Sequence, residues 1–521
     1  MSKTFEQLKP VITELDRRLT NVENDVAYIK EADGLQRYGV SGIGQAASAL
    51  TRIWDSVGMV AQVGTDGDNA SVVNSFDDVT PFNRRKCVGS WLMEGGKPVF
   101  HVRAYLGDEN YVEDGSMGDY VAVECPRAYY CLKDGVLGIS AHQYPGWRPF
   151  DIFCRNHNPQ DTMPFFYMPA YALAVKNGHA VSLPGLDNLQ GDYKTLTDAA
   201  RTYAGEIGVK ATIMPAAVNF YEWAMMTVEF ATQNVQSVMF GCASLRHSND
   251  DHAVLRSDGK WLLNNWRTER VVGEYVSIQP VNIDMNDFRY YASHKIKSIT
   301  RCDESGAASL SGDHALVEIE DLGLGREYVV GTEYRFVARP YRTGECNSVS
   351  TPSGSPVNNL TGLYPCKYRY HENPYGNQYK TAADLFAIRT GDNDENYGLD
   401  WYYSVDPTTI SGNPANAVID GLEKLDISTP HENYVNGYIK SKVYSAERPD
   451  IWIPGVTTGA GAGSYFSDYA SLVNSPSFRS CRFGGSWSLG SFVGLSSFSA
   501  PYAPSSALAS SGADLYITQQ G

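Results

Sequence analysis

The stretch Arg479-Ser-Cys-Arg-Phe-Gly-Gly-Ser-Trp487 decides how this chain reads. It runs on through Ser488-Leu-Gly-Ser-Phe-Val-Gly-Leu-Ser-Ser-Phe-Ser-Ala-Pro-Tyr502 and closes on Gly512-Ala-Asp-Leu-Tyr-Ile517. A rigid start (Arg482, Gly484, Gly485, Trp487) and an apolar alternating end (Leu515, Ile517) bracket a run with no evident core pattern. From Ser488 to Tyr516 there is no Lys, Glu, Gln, Met or Trp. Those five types are the ones missing when the third base of a codon stays a pyrimidine while the first two vary. Small hydroxyl residues and aromatics on a fixed frame supply stacking area and adaptable hydrogen bonds at low entropy cost. A Ser/Ala-rich surface loop has the same composition.

Working outward, 521 residues can bury a large core and predict two or three domains. Tyrosine is abundant, 34 in all, which suits both β-rich packing and exposed contact surfaces. The net charge of −16 argues against nucleic acid as a partner, because phosphate binding needs clustered Lys and Arg. The nine cysteines are odd in number, widely spaced and without a Cys-x-x-Cys, which predicts buried free thiols and no zinc ribbon. The start of the chain is charged and polar, unlike a secretory signal. No apolar run approaches the roughly 20 residues of a membrane span, so no membrane insertion is expected.

At the N-terminus, Leu8, Ile12, Leu15, Leu19, Val22, Val26 and Ile29 alternate at spacings of four and three. That is an a/d seam, read as a coiled-coil oligomerisation helix over 1–34 or as one amphipathic helix on its own domain. Residues 35–135 lack helical periodicity, carry Gly-rich turns and predict a β-rich connector. A helix is expected over Asp198–Ile207, with Thr195 and Thr197 as candidate caps, and a second from Pro215 to about Ala231. Residues from about 246 to 360 alternate apolar and polar residues, as in Glu333-Tyr-Arg-Phe-Val337, and predict an inserted β subdomain.

Candidates for chemistry are sparse. His247-Ser-Asn-Asp-Asp-His252 could ligate a metal or form a solvated loop, and no third ligand is identifiable, so no metal site is assigned. Asp66-Gly-Asp68 and Asp392-Asn-Asp-Glu-Asn396 supply oxygens for a structural calcium, the one cofactor considered, but neither fits a twelve-residue calcium loop. Cys481 has no neighbouring cysteine and reads as a structural thiol. No Gly-x-Ser-x-Gly elbow lies in a strand-turn-helix setting and no phosphate loop occurs. A carboxylate pair for glycoside hydrolysis leaves no linear motif.

Arg482-Phe-Gly-Gly-Ser-Trp487, with Gly490, Gly494 and Gly512, resembles the variable region of proteins diversified by retroelements, a family that includes phage tropism determinants. The final Gly512-Ala-Asp departs from that family's usual Gly-Phe-Arg. Two further stretches, Met225–Ser237 and Tyr368-Arg-Tyr-His-Glu-Asn-Pro-Tyr-Gly-Asn-Gln378 with Trp401, are similar to core elements of the same family. A structural role is expected for Gly376, Asn377 and Trp401. Tyr38-Gly-Val, Leu50-Thr-Arg-Ile and Val123-Glu-Cys-Pro126 resemble the N-terminal part of phage tail proteins.

The resemblance implies an α+β fold. A coiled coil leads through the β-rich connector to a C-type-lectin-like (formylglycine-generating-enzyme-like) domain over 136–521, with its variable region at about 479–517. Glu372-Asn-Pro374 stands where a calcium-dependent sugar-binding lectin has another motif, so sugar binding through calcium is not implied. The implied function is a phage tail receptor-binding protein, an adhesin that sets host tropism without being an enzyme. It would act on the virion tail as a homotrimer, beside other tail proteins and against a host cell-surface protein or glycan. The expected display positions are Phe483, Ser486, Ser488, Leu489, Ser491, Phe492, Ser496, Ser497, Phe498, Ser499, Pro501, Tyr502 and Ala503. Arg482, Gly484, Gly485 and Trp487 are the expected frame. A tail-associated polysaccharide depolymerase and a purely structural baseplate component are the rival readings.

Overall fold

A computed structural model of the chain describes residues 35–67, 72–203, 205, 208–245, 251–283, 294–320, 322, 327–390, 398–415, 420–429, 436–472 and 478–519. The protein is mostly β, 39% strand against 9% helical, with two α-helices among the described residues. This corrects the expected α+β, coiled-coil-led architecture with its lectin-like domain. The heptad lies outside the described residues, and no coiled coil forms part of the described fold. Gly-punctuated runs rich in Val, Tyr, Phe and Thr became strands, as their packing on a pleated surface favours.

The N-terminal strands Arg37–Ser41 and Thr51–Trp54 join Val136–Ser140, Tyr129–Lys133 and Arg148–Pro149 in one antiparallel sheet. The hairpin that pairs Lys133 with Val136 crosses position 135, so the division expected there falls inside this sheet. A second sheet runs Lys97–Tyr105, Arg85–Glu94, Tyr120–Pro126, Phe165–Pro169. One continuous core links Tyr38 near the start of the described chain to Tyr516 near its end.

Helix α1 spans Tyr193–Ala200, five residues earlier than expected. Asp192, not Thr195 or Thr197, is its cap: the Asp192 carboxylate accepts the Thr195 amide at 2.8 Å. Tyr193, Leu196, Thr197 and Ala200 form its buried stripe. Helix α2 spans Ala216–Phe230, entered through Pro215 and left through Ala231 in the left-handed region at φ 51°. Nearly every side chain of α2 is buried, as befits a helix that is apolar around its circumference. Its two buried acids are neutralised by arginines. Glu222 meets Arg84 at 2.5 Å, and Glu229 takes two bonds from Arg369 at 2.7 and 3.0 Å.

Residues 252–339 close into a six-stranded antiparallel barrel with its own core around Trp261, Ile278, Val317 and Phe336. The barrel is tied to the rest of the chain through a small cluster in which Tyr275, Ala338 and Tyr341 pack with Cys242, Leu245 and Trp487.

The C-terminal sheet positions the segment expected to carry the display residues. Its strands run Glu423–Thr429, Gly398–Tyr403, Tyr379–Thr390, Arg479–Gly484, Gly494–Ser499, Tyr469–Ser471 and Gly437–Tyr438, and Ser511–Gly512 pairs with the third of these. The Arg479–Gly484 and Gly494–Ser499 strands are therefore interior strands, flanked on both sides. Gly376, Asn377 and Trp401 brace this sheet. The Asn377 side chain both accepts the Tyr341 amide (2.7 Å) and donates to its carbonyl (3.1 Å). The Gly376 amide donates to the Gly484 carbonyl at 2.9 Å. The Trp401 indole meets the Phe498 ring edge-on at 5.6 Å.

Candidate functional site

The frame residues all fold inward. Gly484 and Gly485 have φ of +86° and +74°, a left-handed pair that turns the chain out of the Arg479–Gly484 strand. A Cβ on Gly485 would press into Val493, 2.7 Å from its Cγ2. Trp487 is buried between the sheet and the barrel, and its carbonyl accepts the Leu245 amide at 2.8 Å. Arg482 is 1% exposed, and its guanidinium lies 5.0 Å from the Tyr502 ring. Burial pulls Arg482 down to about 10, against the opposing pull of Tyr379 and Tyr502.

The thirteen display positions divide. Ser488, Ser491, Phe492 and Tyr502 are exposed, and Leu489, Pro501 and Ala503 are half-buried. Phe483, Ser486, Ser496, Ser497, Phe498 and Ser499 are buried, which corrects their expected display. The reason is topological. Phe483 and residues 496–499 lie in interior strands, where Phe483, Phe498 and Trp452 pack at centroid distances of 5.2 to 5.7 Å. Helix α2 covers the Gly494–Ser499 strand, with the Asn219 side chain donating to the Leu495 carbonyl at 2.9 Å.

Ser491 and Phe492 lie on a short turn, Gly490–Phe492, between the Arg479–Gly484 and Gly494–Ser499 strands. Its amide at Gly490 is pinned to the Ala243 carbonyl at 2.7 Å. On it, Phe492 stacks on Tyr469 with centroids 4.2 Å apart and planes 24° from parallel. Tyr438 meets both rings edge-on, at 5.7 and 5.6 Å, and its hydroxyl bonds the Ser491 hydroxyl at 2.8 Å. Three aromatic rings thus form one surface patch, with Tyr438 edge-on to the other two as ring quadrupoles favour. The patch offers apolar faces flanked by the exposed hydroxyls of Ser488 and Ser491. Tyr438 and Tyr469 lie outside the variable segment and were missed. The signal available was the Tyr- and Ser-rich stretch at 464–480, which contains Tyr469.

Behind the patch, Asp468 is buried and accepts the Ser496 amide at 2.6 Å. Burial pushes its carboxyl well above the usual range.

The metal candidates fall largely outside the described residues. His252 faces Glu333 at 3.1 Å and Asp251 is taken by Arg270 at 3.0 Å, while residues 246–250 lie outside the described residues. Asp68 and Asp392–Asn396 also lie outside them. Among the described residues no group of three or more His, Cys, Asp or Glu is placed to hold an ion. None of the nine cysteines forms a disulfide, and eight are buried. Cys481 is one of the eight, and burial raises its thiol well above the ordinary value. No protein-family model matches the chain, and no curated protein matches it in sequence.

Proposed function

We propose that this protein is a phage tail receptor-binding protein, an adhesin that recognises a bacterial surface ligand through its C-terminal variable segment. The observation that carries this reading is the Tyr438–Tyr469–Phe492 cluster at the surface, in which Phe492 is exposed and the two tyrosines are half-buried. It stands on a buried frame of Arg482, Gly484, Gly485 and Trp487. An aromatic cluster held stiff before contact loses little side-chain entropy on binding, and such residues dominate binding energy. The reading is recognition without chemistry. The diversified positions narrow to Ser488, Leu489, Ser491, Phe492, Pro501, Tyr502 and Ala503. Weak single sites would gain avidity in a homotrimer on the virion tail.

The test is flow cytometry of the fluorescently labelled protein on a panel of bacterial strains. Binding to particular strains, reduced about thirtyfold or more by Phe492→Ala, supports the reading. Strain binding that ignores Phe492→Ala, Tyr469→Ala and Tyr502→Ala together would remove it. An adenine-rich template repeat beside a reverse transcriptase gene would independently support diversification.

A further inference from the structure

Away from the variable turn lies a cavity of about 490 Å³, within the roughly 300–1,000 Å³ range of small-ligand sites. It is lined by residues 143–160, Lys210 with Pro215 and Ala217, Asp384, the turn around Asp406, residues 446–451, and Tyr516 with Thr518. These are far apart in sequence, so no linear motif announced the site.

Most charges in its wall are already paired. Asp450 accepts the Tyr130 hydroxyl at 2.5 Å and the Asp151 amide at 2.6 Å. Asp151 holds His157 at 2.7 Å, and Arg448 lies 3.9 Å from the same oxygen. Lys210 stands 3.6 Å from Asp406.

Two groups are not paired. Asp384 is 7% exposed and lines the cavity. One of its oxygens accepts the Ala216 amide at 2.8 Å; the other meets no donor, and no ion pair reaches the carboxylate, among the described residues. Tyr516 is 5% exposed and lines the same cavity, and its hydroxyl likewise has no hydrogen-bond partner among the described residues. Both unmatched atoms face the cavity and not the packed interior, so a molecule bound there can supply their hydrogen bonds in place of water.

We infer that this cavity binds a neutral saccharide unit, oriented by the Asp384 carboxylate and the Tyr516 hydroxyl. The mixed wall selects this chemistry. An anion would face Asp151, Asp384 and Asp406, and a cation would face Arg148, Lys210 and Arg448. A sugar hydroxyl both donates and accepts, so it satisfies the carboxylate and the phenol in turn. The C–H face of the ring fits the apolar wall supplied by Trp147, Ile152 and Ile451. The carboxyl of Asp384, raised to about 6 by burial, is ionised and accepting at neutral pH. The inference does not rest on the adhesin reading, since the variable turn takes no part in it.

The experiment is saturation-transfer difference NMR on the full chain with glucose, galactose, N-acetylglucosamine, rhamnose and maltose as probes, and glucosamine and methylamine as cationic controls. At least one neutral sugar should give transfer, weakened tenfold or more by Asp384→Asn and by Tyr516→Phe. Gln160 is an exposed lining residue, so Gln160→Trp should close the cavity and abolish transfer while leaving the melting temperature unchanged. Phe492→Ala should leave transfer intact. Silence from all five neutral sugars overturns the inference. So does transfer from the cationic probes alone, or transfer that survives Gln160→Trp.

Discussion

Phe492, in the Gly490–Phe492 turn, stacks on Tyr469 with ring centroids 4.2 Å apart. The two rings come from separate segments, the 490–492 turn and the Tyr469–Ser471 strand. A double-mutant cycle with Phe492→Ala and Tyr469→Ala, read by urea denaturation, should give a coupling of about 0.5–1.5 kcal/mol. Zero coupling would mean that the two rings do not support one another in solution.

The division of the display positions predicts two tolerances. Substituting Ser488 or Ser491 by any polar residue should change stability by about 0.5 kcal/mol or less. Phe498→Ala and Phe483→Ala should each cost about 3–5 kcal/mol, because both rings are sealed in the sheet. A denaturation series over these four positions checks the contrast.

Gly494 cannot carry a side chain. Its φ is +151°, and a Cβ there would overlap the Asp468 carboxylate. Gly494→Ala should therefore destabilise the protein by about 2 kcal/mol or more, whatever its effect on binding. Its denaturation midpoint against wild type decides the point.

Lys442 places its ammonium 3.8 Å from the Trp452 ring centre and 4.0 Å from that of Trp223. The nitrogen is buried with no hydrogen-bond partner among the described residues, and burial drives the amine well below its ordinary value. Lys442→Met fills the same volume without the desolvation cost and should raise stability at pH 7 by about 1–3 kcal/mol. A loss of more than about 1 kcal/mol would show that the cation–π contacts outweigh desolvation.

Asp450 sets a pH dependence. Burial, with Asp151 adding repulsion, raises its carboxyl to about 7. The folded state therefore holds a proton that the unfolded state releases near pH 4, and stability falls as pH rises from about 4 to 7. Burial of Asp384, raised to about 6, and of Glu274, raised to about 7, acts with the same sign. Asp450→Asn keeps an acceptor for the Asp151 amide and lets Tyr130 accept in place of donating. It should raise the melting temperature at pH 8 by about 1–3 °C and change it little at pH 5. Equal shifts at both values would contradict the assignment.

Much of the local chemistry was legible in the chain itself. The Gly484–Gly485 pair announced a backbone turn, Pro215 announced the entry to α2, and unpaired cysteine spacings announced free thiols, because each depends on covalent geometry or near neighbours. The position of α1 was misjudged because the Asp192 cap, three residues before Thr195, outweighed the threonines.

The sequence alone determined which residues are stiff, which are small and which are aromatic. Only the tertiary structure decided which of them see solvent. Ser496 and Ser491 are the same residue type in one Ser-rich run, yet one is buried in an interior strand and the other stands on a turn. Strand pairing on both sides of Gly494–Ser499, and the cover of helix α2 from 276 positions earlier at the Asn219–Leu495 bond, separate them. Composition carries no record of such pairings. The meeting of Asp384 and Tyr516 in one cavity depends on the same long-range closure.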